Sequence, residues 1–324
     1  MKAFTIQKND AGQRLDRWLS KNLPLLPPPL AQKYIRLKRV KLNGKGAKRD
    51  THLNAGDLLE LYINDEFFDL PTPENAFLSI SKPQLDILYE DENLLLVDKR
   101  PGMVVHPDET ERVNTLITHI QAYLYQKREW SPYTERSFAP ALCHRIDRNT
   151  GGIVIAAKTA EALRIINEKI RDREIEKYYL CIIHGAISPP QGTLRHILLK
   201  DEGKKQVSVH HHAVPGGRSA ATEYHTLARN DNLSLMECRL ITGRTHQIRA
   251  QFAAAGHPLL GDGKYGKERD NKPFGRTYQA LYSYRLQFTF PTDAGVLSYL
   301  KGKTVSVPKV DFAEEFFPEF SYVP

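Results

Sequence analysis

One short stretch of the chain combines residue types that can act on a nucleotide. Residues 143–152 read Cys-His-Arg-Ile-Asp-Arg-Asn-Thr-Gly-Gly, and a β-branched apolar run, 153–157, follows at once. The run predicts a buried strand entered from a tight loop. In that loop Asp147 lies between Arg145 and Arg148, so we expect it to stay ionised and to lie near phosphate. A solvated charged turn before a core strand is the alternative interpretation of these residues alone.

A second polar stretch, residues 242–249, reads Thr-Gly-Arg-Thr-His-Gln-Ile-Arg. The alternating segment 235–241 predicts a strand before it. Apolar residues at helical spacing, from Ile248 onward, predict a helix after it that ends near Gly256. The turn and the first amides of this helix would form a site for anions. Arg249 falls in the first turn of the predicted helix.

Together these two stretches resemble signatures of the RluA family of pseudouridine synthases, which convert uridine in RNA into its C-glycoside isomer. The first is similar to that family's His-Arg-Leu-Asp signature, and the second to its Gly-Arg-Thr-His-Gln-Ile-Arg signature. Between them, residues 176–180 resemble a Lys-x-Tyr segment and residues 221–224 an Ala-x-Thr-x-Tyr strand. Four ordered matches across about 120 residues are far more specific than any one of them.

Two positions depart from the family pattern. Ile146 stands where leucine is commoner, a change that is nearly neutral in volume. Gly151 stands where serine is commoner, which removes a hydroxyl and adds backbone freedom beside the Asp147 loop. The second departure therefore raises the question of what keeps that loop rigid.

The resemblance implies a catalytic set of Asp147, Tyr179 and Arg249. Breaking the glycosidic bond of uridine develops positive charge at C1′, which a carboxylate stabilises or attacks. Whether Asp147 attacks C1′ or abstracts a sugar proton stays open. Arg249 would pair with Asp147 and orient it. Tyr179 would stack on the uracil and accept the C5 proton; a packed core aromatic is the alternative for this residue.

The target base must leave its stack to reach the aspartate, and Arg145 would occupy the vacated space, as the matching arginine does in the family. In the part of the chain that contains these two stretches, the side chains that we predict to contact RNA are His144, Arg145, Arg148, Arg244 and His246.

The net charge of +8 is confined to the first fifth of the chain. Residues 1–64 hold 13 Lys and Arg against 5 Asp and Glu, whereas the remainder holds 33 of each. Such segregation indicates a dedicated module that binds a polyanion. Apolar residues at helical spacing predict two helices, and Asn43-Gly44 predicts a hairpin turn between short strands.

This amino-terminal module resembles the α-L RNA-binding module shared with a ribosomal small-subunit protein. Its basic face carries the predicted RNA contacts Arg14, Arg17, Lys33, Arg36, Lys38, Arg39 and Lys41. The alternative interpretation is that this face is solvated and binds no RNA. Lys38 stands where that module commonly has glycine. If the position requires a positive φ, lysine costs on the order of 1 kcal/mol there while adding a phosphate contact.

These features predict the following organisation: an RNA-binding module at 1–64, a proline-containing linker at 65–84, a catalytic domain at 85–310 and a tail at 311–324. The fold class implied is α+β. We expect a mixed, largely antiparallel sheet with a central cleft, preceded by the small α/β module. The sequence does not decide whether the tail docks on the body, and residues 264–276 are interpreted as a surface insertion.

The expected partner is RNA, most plausibly large-subunit (23S) ribosomal RNA or a pre-ribosomal particle. Transfer RNA and a non-catalytic role in RNA binding or ribosome assembly remain alternatives. We expect no metal or organic cofactor, because no ligand cluster, P-loop or dinucleotide fingerprint is present. The three scattered cysteines argue against a disulfide framework. The polar start of the chain and the lack of a long apolar run predict a cytoplasmic protein without a membrane partner, and we expect a monomer.

Overall fold

The chain folds into two compact units. The computed structural model describes residues 1–7, 10–69, 72, 75–134, 137–201, 203 and 206–320. The first unit comprises residues 1–84 and 106–135, and the second comprises 85–105 and 136–324. Among the described residues, no helix is long and apolar enough to cross a membrane.

The first unit has a small antiparallel sheet with the strand order β1-β4-β2-β3. Its elements are β1 (Lys2–Thr5), α1 (Leu15–Asn22), α2 (Pro28–Arg36), β2 (Val40–Leu42), β3 (Lys45–Gly46), β4 (Leu58–Leu61) and α3 (Leu116–Gln126). The predicted hairpin is confirmed, because Asn43 and Gly44 both have positive φ and join β2 to β3. Strand β1, which the sequence pattern did not reveal, pairs with β4.

Helices α1 and α2 are amphipathic, as their spacing predicts. On α1 the side chains of Leu15, Trp18 and Leu19 are buried. On the solvent side of this unit lie the predicted RNA contacts, all exposed except the half-buried Lys41: Arg14, Arg17, Lys33, Arg36, Lys38, Arg39 and Lys41. The first of them, Arg14, is paired with Asp16 at 2.6 Å.

Residues 65–84, interpreted above as a linker, contain two turns of 3-10 helix, Asp65–Phe68 and Ala76–Ser79. The ring of Phe77 is buried and packs edge-on against Tyr125 of α3 and against Trp130. These apolar contacts tie the segment to residues 106–135 within the first unit. Pro71 and Pro73 lie outside the described residues.

The second unit is built on one large mixed sheet. Its elements are β5 (Asp86–Glu90), β6 (Leu94–Lys99), β7 (Ala141–Leu142), β8 (Gly151–Ala157), α4 (Ala160–Arg171), β9 (Ile175–His184), β10 (Gln191–Asp201), β11 (Gln206–His210), β12 (Arg218–Arg229), β13 (Leu233–Leu240), α5 (Gln247–Ala254), α6 (Glu268–Asn271), β14 (Leu281–Phe288), β15 (Thr304–Ser306) and α7 (Asp311–Phe316). The main strand order is β11-β10-β12-β13-β9-β14-β8-β6-β5. Neighbours are antiparallel except β8 and β14, which are parallel. The predicted α+β class with a mixed, largely antiparallel sheet is confirmed.

Thr159, placed before apolar residues at helical spacing, predicts the start of helix α4, and its hydroxyl does accept a hydrogen bond from the Ala162 amide at 3.1 Å. The apolar spacing of this helix, with Leu163, Ile166 and Ile170 on one face, predicts Lys169 on the opposite, solvent side. That prediction is wrong. Lys169 is buried, and its Nζ donates to Glu174 at 2.7 Å and to the Thr292 carbonyl at 3.1 Å. A buried ammonium is tolerated here because a carboxylate and further oxygens surround it.

Two segments that the sequence left open pack against the second unit. In the tail, α7 buries Phe312. Residues 264–276, interpreted as a surface insertion, include a buried side chain, Asn271. Its Oδ1 accepts a hydrogen bond from the Gly261 amide at 2.8 Å and contacts the His184 ring nitrogen at 2.8 Å. These contacts anchor the segment to the end of β9 and to the turn at Gly261.

The backbone at Lys38 generates a prediction about stability. Lys38 follows the end of α2 with φ of 56°, so the position does require a positive φ. We expect Lys38→Gly to raise the free energy of unfolding of the first unit by about 1 kcal/mol, because glycine adopts this conformation without strain. Thermal unfolding of the full chain measures the change. Lys38→Ala is the matched control: it removes the same charge but keeps Cβ, so an equal gain in that variant would contradict the backbone explanation.

Candidate active site

The three predicted catalytic residues line one cavity of the second unit, with a volume of about 690 Å³. Asp147 comes from the loop between β7 and β8, Tyr179 from β9 and Arg249 from the first turn of α5. Strand β9 lies between β13 and β14, so Tyr179 is delivered from a rigid part of the sheet. The cavity is the cleft in which residues far apart in the sequence meet.

Arg249 holds two carboxylates at once. Its Nη1 donates to Asp147 Oδ2 at 2.9 Å, the pairing that the sequence predicts. Its Nε and Nη2 donate to Asp262 at 2.7 and 2.9 Å in a bidentate pair that was not foreseen. Arg249 is buried, whereas the side chain of Asp147 is 24% exposed. Asp147 is therefore fixed from the protein side and open on the cavity side.

Asp262 is fully buried and holds the Arg249 guanidinium in position. Besides Arg249, its Oδ1 accepts hydrogen bonds from the amides of Lys264 and Tyr265, at 2.9 and 3.1 Å. Burial alone would raise the pKa of Asp262, but the Arg249 guanidinium and these amides outweigh it and hold the pKa below its usual range. A carboxylate directly after the apolar Leu259-Leu260-Gly261 was the sequence signal that could have revealed it.

A buried lysine supports the Asp147 loop from beneath. Lys99 ends strand β6, and its Nζ donates to the carbonyls of Arg148 and Met103 at 2.9 Å and of Arg100 at 3.0 Å. Burial lowers the pKa of Lys99 to about 7, with the charges of Asp147 and Asp98 opposing that shift. Residues 99–107 resemble a Lys-Pro-x-Gly segment that supports the cleft in the RluA family, but that resemblance does not identify these contacts.

The strand that leaves the Asp147 loop is pressed against β14. A Cβ atom added at Gly151 would lie 2.2 Å from Cε2 of Tyr282, and one added at Gly152 would lie 2.1 Å from the Ser283 carbonyl oxygen. The Tyr282 hydroxyl donates to Asp98 at 2.7 Å. Tyr282 therefore fills the space that a serine at position 151 would need. This contact answers the question of what keeps the loop exit rigid.

Two aromatic side chains, Tyr179 and His246, line the cavity together with Asp147. Tyr179 is buried, and burial, followed in the same direction by the Asp147 charge, raises its pKa to about 12 while Ser283 opposes the shift. His246 precedes α5 with φ of 51° and places Nε2 3.8 Å from Asp147 Oδ2. Burial lowers the pKa of His246 below its usual range, with the Asp147 charge opposing.

The predicted RNA contacts of this unit have different environments. Arg145 and Arg148 are exposed beside Asp147. Arg244 is half-buried, and its Nε donates to the Ser219 carbonyl at 3.2 Å. His144 is only half-exposed, and its Nε2 accepts a hydrogen bond from the Ile155 amide at 3.2 Å. The hydrogen bond of His144 supports strand β8, so this nitrogen is not available to a ligand.

The cavity wall is strongly cationic. The arginine and lysine side chains that line it are Arg145, Arg171, Arg173, Lys177, Arg239, Arg244 and Arg249. Burial lowers the pKa of Lys177 to about 8. The part of the chain that the structure describes contains no group of three or more His, Cys, Asp or Glu side chains placed to hold a metal ion. Two carboxylates also line the cavity, Asp147 and Glu176, and Glu176 is paired with Arg239. This cationic wall suits a phosphate-bearing polyanion, and Asp147 suits a reacting centre that becomes positively charged.

Comparison with known proteins agrees with this chemistry. The sequence profile of the family described as RNA pseudouridylate synthase matches residues 93–254. The chain is 32% identical to an uncharacterised RNA pseudouridine synthase of Mycoplasma genitalium, with 88% of each chain covered. It is 30% identical to the ribosomal large subunit pseudouridine synthase C of Vibrio cholerae, again with 88% of each covered.

A solved structure supports the fold. The human RNA pseudouridylate synthase domain containing 4 superposes with a TM-score of 0.54 at 21% identity, covering 70% of this chain and 89% of that one.

The contact between Gly151 and Tyr282 generates a prediction about packing. We expect Gly151→Ser to destabilise the second unit by ~1–3 kcal/mol, because the new side chain meets the tyrosine ring. Combined with Tyr282→Ala, the two changes should cost less than the sum of the single variants by ~1 kcal/mol or more, since the clash is then absent. Thermal unfolding of the wild type, the two single variants and the double variant measures this difference.

Gly263→Ser is the control for this comparison, because a Cβ there meets nothing within 4 Å. We expect that control to stay within ~0.5 kcal/mol of the wild type. Strict additivity of Gly151→Ser and Tyr282→Ala would show that the two side chains do not compete for the same space.

Proposed function

The chain belongs to the RNA pseudouridylate synthase family, and from this premise we propose that it isomerises specific uridines of large-subunit (23S) ribosomal RNA to pseudouridine. The observation that carries the proposal is the ion pair of Asp147 with Arg249 in a cation-lined cavity. The choice of ribosomal RNA is supported by the similarity over most of the chain to a relative named for the large ribosomal subunit. It is also supported by the basic amino-terminal segment, which holds the entire excess of positive charge.

In the proposed reaction the bond between C1′ and N1 breaks and a bond between C1′ and C5 forms. Asp147 stabilises or captures C1′ as positive charge develops there, and Arg249 keeps the carboxylate oriented. The detached uracil turns within the cavity, rejoins through C5 and then loses the C5 proton, so the product is an isomer of the substrate. No oxidant, reductant or second substrate is consumed.

Of the two roles predicted for Tyr179, its environment favours stacking. A phenol whose pKa is raised to about 12 is protonated at neutral pH and is a weak acceptor for the C5 proton. Its buried ring, held in the centre of the sheet, can pack against the uracil during the rotation. Arg145 lies exposed on the Asp147 loop, where it can take the place of the base that leaves the stack.

Replacing the carboxylate tests the proposed chemistry. Asp147→Asn is expected to lower turnover by on the order of 10³-fold or more, because the amide neither attacks C1′ nor carries the charge that stabilises it. RNA binding should persist, since the cationic wall is unchanged. The measurement is tritium release from C5-labelled 23S ribosomal RNA, alongside labelled transfer RNA transcripts.

Asp231→Asn is the control for this substitution, because Asp231 is exposed in the turn between β12 and β13. It should release tritium at the wild-type rate. Wild-type release from transfer RNA alone would replace ribosomal RNA as the substrate, and release by Asp147→Asn at the wild-type rate would remove Asp147 from the mechanism.

The basic face of the first unit is tested by removing charges without cutting the fold. The double variant Lys33→Gln, Arg36→Gln neutralises two exposed cations of α2. We expect weaker RNA binding and a shallower salt dependence, by about 0.7–0.9 in log–log slope for each lost phosphate contact. Binding titrations at several salt concentrations measure it.

The matched control is Lys267→Gln, Lys301→Gln, which removes two exposed cations of the second unit that do not line the cavity. Equal slopes for the two double variants would mean that net charge, rather than the α2 face, determines the affinity.

A further inference from the structure

Tyr265 contacts three residues of the site around Asp147: Asp262, Arg249 and His246. It lies three residues after Asp262, and its amide donates to that carboxylate at 3.1 Å. Its ring covers the guanidinium of Arg249, with Cζ 5.3 Å from the ring centroid. Its hydroxyl is 2.8 Å from Nδ1 of His246 and accepts a hydrogen bond from the Val207 amide at 2.9 Å. Nothing in the sequence had singled out this tyrosine.

Counting hydrogens at the Tyr265 hydroxyl assigns the tautomer of His246. The phenol oxygen carries one hydrogen, and the Val207 amide already occupies an acceptor position on that oxygen. If the tyrosine donates to Nδ1, both hydrogens at the phenol oxygen, its own and that of the Val207 amide, are used in hydrogen bonds, and the ring hydrogen on Nε2 lies on the side of the cavity and of Asp147. If instead Nδ1 carries the hydrogen, the hydroxyl hydrogen has no acceptor among the contacts that the structure gives for Tyr265. The first arrangement is favoured, and it places the ring hydrogen on Nε2.

That choice determines which charge faces Asp147. Nε2 of His246 lies 3.8 Å from Asp147 Oδ2, too far for a hydrogen bond but close enough for a directed dipole. With Nε2 protonated, the positive end of the N–H bond points at the carboxylate. With Nδ1 protonated, a lone pair would face it instead. The contact of Nδ1 with the Tyr265 hydroxyl at 2.8 Å holds the ring in this direction.

We propose that Tyr265 is a positioning residue of the isomerisation: it selects the His246 tautomer whose Nε2–H faces Asp147 and holds the Arg249 guanidinium in place. The inference rests on the function proposed above, through the role given to Asp147. Tyr265 and His246 touch no reacting atom in this scheme. They determine the direction and the electrostatic surroundings of the carboxylate that does.

A purely structural role for Tyr265 makes different predictions. Because its hydroxyl also accepts a hydrogen bond from the Val207 amide of β11, loss of the hydroxyl could simply loosen the pairing of β10 with β11. Stability would then fall, whereas the tautomer of His246 and the chemical step would not change. A readout of the tautomer separates the two explanations, because the stability of that pairing does not set it.

The first measurement needs no variant. In the full chain labelled with ¹⁵N-histidine, at a pH above the ordinary pKa of histidine, the nitrogen shifts report which ring nitrogen of His246 carries hydrogen. We expect the Nε2–H form to dominate. Dominance of the Nδ1–H form overturns the proposal directly.

The second measurement uses Tyr265→Phe, which keeps the ring over Arg249 and removes the hydroxyl. We expect kcat to fall by about 10–100-fold with KM within about 3-fold of the wild type, because the change concerns orientation of the carboxylate rather than RNA binding. The Nδ1–H form of His246 should become populated. Tyr265→Leu, which also removes the ring from Arg249, should lower kcat further.

Tyr224→Phe is the matched control. It deletes another largely buried hydroxyl of the same unit, one that donates to the Pro189 carbonyl at 3.2 Å outside the cavity. If Tyr265→Phe and Tyr224→Phe have the same kcat, the positioning role is refuted. Turnover of the wild type is measured first: absence of tritium release from every RNA refutes the proposed function, whereas the histidine spectrum still decides the tautomer.

Discussion

The guanidinium of Arg249 is the constraint on which the rest of the site depends. Asp262 takes two of its nitrogens, and the third contacts Asp147. Because the guanidinium is a rigid planar fork, fixing it against one carboxylate fixes the direction in which it meets the other. The fully buried Asp262 offsets much of the cost of burying the cation, so Asp147 can stay partly open to the cavity. Asp262 thus provides structural support and Asp147 provides reactivity, and both carboxylates bind the same arginine.

The features that are local in the sequence were predictable. A β-branched run after two glycines gave β8, and Asn43-Gly44 gave the hairpin of the first unit. The strand, turn and helix around residues 233–254 followed from periodicity, and with them the placement of Arg249. In each case a few adjacent residues carry the physical reason, whether a side-chain period or a positive φ, so no knowledge of distant parts of the chain is needed.

The features that depend on distant partners were not predictable. Lys99 supports a carbonyl 49 positions away, and Lys169 is buried because Glu174 and the distant Thr292 receive its ammonium. A lysine or aspartate is normally assigned to solvent, and only the identity of its partner reverses that assignment. For the same reason the sequence did not predict Asp262 as the bidentate partner of Arg249. Likewise, residues 106–135 join the first unit through contacts such as that of Phe77 with Tyr125. No local sequence pattern predicts such a contact.

The contact of Gly151 with Tyr282 also limits the order in which this protein can evolve. A serine could enter at position 151 only after position 282 had already accepted a smaller residue, because the ring occupies the space of the new side chain. If the serine entered first, its side chain would clash with the Tyr282 ring beside the Asp147 loop. The smaller residue at 282 would in turn release Asp98 from its hydrogen bond, so each intermediate carries a cost of its own. A departure from the family pattern at one position is therefore held in place by a tyrosine that lies 131 residues further along the chain.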